Sequence, residues 1–178
     1  MRITSPRSTA SLLLTITAFA VAGCSDTAPS GTSGSAARDL TAVRACDLLT
    51  PTDIEMATGI APGTGEDMTE LDGRLPMCNW TPATGGFRPV ANLLVTTSSY
   101  TDYDEFVRMA NDNAFGIELG EFERVDGVGR FGVWLADLGM LQVFTDDVMV
   151  QVGVEVAPDR DPVEAAKTLA EGVLRRLQ

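Results

Sequence analysis

Val148-Met149-Val150-Gln151-Val152-Gly153-Val154-Glu155-Val156 places valine at every second position. Side chains alternate between the two faces of a strand, so this run presents one continuous β-branched face and one mixed face. A helix would scatter the same valines around its circumference. The chain is therefore committed to a sheet, and the neighbouring turns and helices say what pairs with this strand and what covers its valines.

Two turns set the expected register. Asp146-Asp147 fits a two-residue hairpin loop, which pairs Val143 with Val150 and Leu141 with Val152, apolar against apolar. Asp137-Leu138-Gly139 fits a three-residue loop with Gly139 in the left-handed conformation, pairing Leu135 with Leu141 and Val133 with Val143. Both turns then agree on one core face, and the other face carries Trp134, Gln142, Phe144, Met149 and Gln151. Trp134, Phe144 and Met149 are the candidate binding face, because monomers seldom leave large apolar side chains together in water. The competing reading is that a loop or an earlier hairpin covers them.

Three helices are marked by their starts. Thr50 caps, Pro51 opens and Asp53 completes a variant capping box, with Leu49 and Ile54 as a hydrophobic staple and Gly59 as the stop. Asp102 and Glu105 mark a second start, followed by Tyr103, Phe106, Val107 and Ala110 at helical spacing to about Asn113. Asp161, Pro162 and Glu164 open the last helix. Its apolar stripe of Val163, Ala166, Leu169, Ala170, Val173, Leu174 and Leu177 is broad, and Arg175 and Arg176 complement its C-terminal dipole. Strands are expected around Cys78, over Phe87 to Thr97, and as four consecutive strands before the last helix. The sum is an α+β domain: an antiparallel sheet of about six strands with helices packed on one face.

The N-terminus has a different character. Arg2 and Arg7 precede the apolar run from Leu12, which small residues close at Val21-Ala22-Gly23-Cys24, the layout of a secretory signal. About 11 apolar residues are too few to span a bilayer, which takes roughly 20. Val21-Ala22-Gly23-Cys24 resembles a bacterial lipobox, with Val where Leu is usual, so Cys24 is the expected lipidation site; the alternative is ordinary cleavage near Ala20. Residues 1–23 are then the signal peptide, 24–39 the lipidated cysteine and a Ser/Gly/Thr-rich tether, and 40–178 the folded domain. The tether spans roughly 20 Å as a flexible coil.

Cysteine arithmetic agrees with export. Setting Cys24 aside leaves Cys46 and Cys78, an even pair in an oxidising compartment. A bond between them would tie the start of the first helix to the strand around Cys78. The rival reading, a reactive dithiol, lacks the Cys-x-x-Cys spacing.

Charge and composition exclude several functions. The 13 Lys and Arg residues, less Arg2 and Arg7, leave 11 against 25 Asp and Glu, a mature net charge of −14. Such a surface repels nucleic acid and anionic head groups. The absence of histidine from the sequence removes imidazole triads, imidazole metal sites and the histidine pH switch. Glu66, Asp67, Glu70 and Asp72 share an acidic loop without the spacing that wraps oxygens around calcium. Nothing in the sequence calls for a cofactor or a metal, and no motif singles out a catalytic residue.

A family resemblance rests on several short motifs. The lipobox, the tether, Cys46-Asp47-Leu48-Leu49-Thr50-Pro51, Gly59, Cys78-Asn79-Trp80 and Val125-Asp126-Gly127-Val128-Gly129 resemble those of small actinobacterial envelope lipoproteins, a family of unknown function. The resemblance implies a Cys46–Cys78 disulfide and a place on the outer face of the cell membrane, and it carries no activity. The expected function is a non-catalytic binding or interaction module, held to the membrane through the lipid on Cys24 and taking a small apolar ligand or an envelope protein. An envelope hydrolase using a carboxylate pair and a purely structural envelope protein are the alternatives.

Overall fold

The alternating valines form the centre of the sheet. The computed structural model describes residues 38–70, 74–112 and 120–178, so the signal segment and Cys24 lie outside the described residues. Seven strands are described: β1 (Glu66–Asp67), β2 (Met77–Trp80), β3 (Ala91–Thr97), β4 (Phe122–Val125), β5 (Phe131–Leu135), β6 (Met140–Phe144) and β7 (Val148–Val154). Their order is β1-β2-β3-β7-β6-β5-β4, which puts β7 in the middle. Every pairing is antiparallel.

The helices are α1 (Pro51–Thr58), α2 (Tyr103–Asn111) and α3 (Pro162–Leu177). Thr50 and Asp53 form the reciprocal capping box, and Gly59 ends α1 in the left-handed conformation at φ 74°. Asp102 accepts from the Glu105 N–H, while the Glu105 carboxylate reaches back one residue further, to the Thr101 N–H. Asp161 accepts from the Val163 and Glu164 N–H groups.

The Asp146-Asp147 turn has the expected register: Leu141 faces Val152 and Val143 faces Val150. Thr145 closes it, taking the Val148 N–H on its hydroxyl. The β5–β6 turn differs by one residue. Ala136–Leu138 winds into a 3-10 turn before left-handed Gly139, so four residues rather than three fill the loop and Leu135 faces Met140. A slip of one residue moves every side chain of a strand to the other face. Trp134 therefore stands opposite Leu141 on the valine face, while Val133 and Leu135 join Phe131 and Phe144 on the other.

The sheet accordingly buries both faces. On one, α3 and α1 cover Leu93, Trp134, Leu141, Val143, Val150 and Val152. On the other, Phe106 of α2 seals a smaller cluster of Phe131, Val133, Leu135 and Phe144. Helices thus pack on two faces, not one, and the sheet has a seventh strand, the two-residue β1 in the acidic loop. Arg38 donates to the Leu177 carbonyl and lies 3.6 Å from Asp147.

Candidate functional site

Trp134, Phe144 and Met149 do not form a binding face. Trp134 is 6 % exposed in the main core and Phe144 is 2 % exposed in the second cluster. Phe144 stacks on Phe131, with ring centroids 4.6 Å apart, and meets Tyr100 edge-on at 5.7 Å. Met149 is half-buried at the margin of that cluster. The 3-10 turn that shifts β5 separates Trp134 from the other two, and α2 covers what remains.

The cysteines do come together. Cys46 and Cys78 are joined, with Cα atoms 5.1 Å apart, linking the turn before α1 to β2. Cys78 is fully buried and Cys46 is half-buried. Trp80, two residues after Cys78, lies on the same face of β2 and is 1 % exposed.

A strap over residues 61–65 runs beside this pair. It is held by the Gly63 N–H on the Thr81 carbonyl at 2.7 Å and the Ala83 N–H on the Ala61 carbonyl at 2.9 Å. Gly65 lies so close beneath the indole that a Cβ there would come within 2.6 Å of Trp80 Nε1 and 2.8 Å of Cys78 Sγ. Between the strap and the start of α1 opens a cleft of about 490 Å³, lined by Cys46, Leu49, Pro51, Pro62, Thr64 and Trp80 together with Gly63 and Gly65. Period two in Cys78-Asn79-Trp80 was the available signal for Trp80, since it puts the indole and the sulfur on one side of the strand. The approach of Gly65 had no local signal.

Other clefts among the described residues have charged linings. A groove of about 490 Å³ between α1 and α3 carries Asp53, Asp159, Glu164, Arg160 and Arg175 around Met56 and Ala57. A cleft at the tip of the sheet includes Arg88, Asp137 and Glu155, with Leu138 exposed there and Phe87 exposed in the preceding loop. A smaller one, about 150 Å³, lies at the start of α2 between Arg124 and Arg130. Those arginines are already engaged, Arg124 with Asp126 and over the Tyr103 ring, Arg130 with Asp146. Among the described residues no group of acidic or cysteine side chains is placed to hold a metal ion, and no helix is long and apolar enough to cross a membrane.

The carboxylates with altered acidity are structural. Burial pushes the Asp53 carboxyl up, but bonds from the Thr50 N–H and hydroxyl and from the Arg176 guanidinium outweigh it and leave the group below its ordinary value. Hydrogen bonds from Thr41, Thr69 and Thr101 lower Asp39, Asp67 and Glu105 in the same direction. A depressed carboxyl stabilises the fold above its unfolded pKa, roughly 4, and that stabilisation is lost as pH falls through the folded value. The urea midpoint is therefore expected to hold down to about pH 5 and fall below about pH 4, with a shallower fall in Asp53→Asn. A midpoint that rises on acidification would contradict these assignments.

No family model, curated protein or solved structure matches the chain.

Proposed function

We propose that the protein is exported, acylated on Cys24 and held by that lipid on the outer face of the cell membrane, where the disulfide-stapled domain acts as a non-catalytic binding module. The observation that carries this reading is the Cys46–Cys78 bond at the edge of the main core. Structural disulfides belong to oxidising compartments. The bond also leaves Cys24 as the odd thiol, at the end of an apolar run of export length. The motif resemblance to actinobacterial envelope lipoproteins points the same way.

Two acyl chains bind a membrane stably where one is marginal, at about 0.8 kcal/mol per buried methylene. The acidic domain itself is repelled by anionic lipid, so the anchor alone is expected to hold it there. Expressed with its own signal in an actinobacterial host, the wild-type protein is expected in the detergent phase of a temperature-induced detergent separation and the Cys24→Ser protein in the aqueous phase. Finding both in the aqueous phase would overturn the anchored reading.

A further inference from the structure

The cleft beside the disulfide differs from the others in its chemistry. Its lining contains no ionisable side chain, and two of its walls are prolines, which offer no backbone donor. Its distinctive polar group is the Trp80 indole. No buried side-chain nitrogen or oxygen among the described residues lacks a hydrogen-bond partner. The indole N–H has no protein acceptor among them, so its nitrogen is not fully sealed in the core, and it lies beside Gly65, which lines the cleft together with Trp80. Gly65 makes that approach possible, because any Cβ at this position would stand on the nitrogen.

We infer that this cleft is a binding site for a small, neutral, largely apolar molecule that carries a hydrogen-bond acceptor, with the Trp80 N–H as its donor. The absence of a charged lining argues for neutrality, since nothing there offsets the desolvation of an ion. Pro51 and Pro62 supply accessible apolar contact, and the volume falls in the range of small-molecule sites, roughly 300 to 1,000 Å³. One convergent donor in an apolar pocket fixes orientation. The inference rests on the binding-module reading and gives that module a site, and the lipid takes no part in its test.

Trp80 and Trp134 are the two tryptophans of the sequence, so the ¹⁵N-labelled mature protein with its disulfide intact gives two indole N–H resonances. Trp80 is identified by its proximity to the Gly65 α-protons. Titration with cyclohexanone is expected to move the Trp80 resonance downfield to saturation and leave that of Trp134 unmoved. Acetone offers the same acceptor with fewer methylenes to bury, so its half-saturation is expected roughly tenfold or more higher. Trp80→Phe keeps an aromatic ring and removes the donor; it is expected to weaken cyclohexanone binding by about fivefold or more, read by saturation transfer to the ligand. An unsaturable drift shared equally by both ketones would mean that water alone occupies the notch, and would overturn the proposal even if the variant fails to fold.

Discussion

Replacing both Cys46 and Cys78 by alanine is expected to cost about 3 to 4 kcal/mol of folding stability. The bond closes a loop over a separation of 32 residues. Loop-closure entropy for that length gives the quoted range. Against a total of about 5 to 15 kcal/mol for a domain of this kind, the loss is a large fraction. The melting temperature should fall by roughly 10 to 15 °C. The bond also holds the turn before α1 against β2, so its removal loosens one wall of the Trp80 cleft. Reduction of the wild-type protein should reproduce the effect, and tryptophan emission should shift to the red at a lower urea concentration. A change below about 1 kcal/mol would show that the turn and β2 stay together without the bond.

Phe106→Ala should be comparably damaging, at about 3 to 5 kcal/mol. The helix that carries Phe106 has nine residues, too few to persist by itself in water. Phe106 is the one side chain of α2 that is completely buried, and its ring lies 5.7 Å from Phe144 and 5.6 Å from Phe122. Truncation leaves a hole between helix and sheet, and the undocked helix uncovers Phe131 and Phe144. The expected signature is a lower urea midpoint together with binding of a hydrophobic dye before global unfolding. Asp104→Ala, on the exposed side of the same helix, should stay within about 0.5 kcal/mol of wild type. Equal effects from the two variants would mean that α2 does not seal the second face.

The position of Phe106 also shows where sequence reading succeeds and where it stops. The caps at Thr50, Asp102 and Asp161 are local chemistry and are visible in the order of residues. So is the β6–β7 register, because the Asp146-Asp147 turn and the alternating valines require the same pairing. The β5–β6 register was not legible. Whether Ala136 belongs to the strand or to the turn is decided by a 3-10 turn closed between the Gly139 N–H and the Ala136 carbonyl, and the residue pattern fits either count. That one residue moves Trp134 into the main core and turns an expected surface patch into a second core. The side on which α2 packs is a tertiary choice made by Phe106 against Phe131 and Phe144, and period alone does not reveal it. The pairing of Cys46 with Cys78 was reachable by counting, whereas the surroundings of the Trp80 nitrogen depend on a glycine from another segment.

The most direct test of the proposed exported, acylated and stapled state is the intact mass of the protein extracted from the envelope of an actinobacterial host without reductant. The expected species is the chain from Cys24 to Gln178, heavier by a diacylglyceryl group and lighter by the hydrogens lost in one disulfide. A bare polypeptide starting before or after Cys24, or one with the full hydrogen count of free thiols, would contradict it.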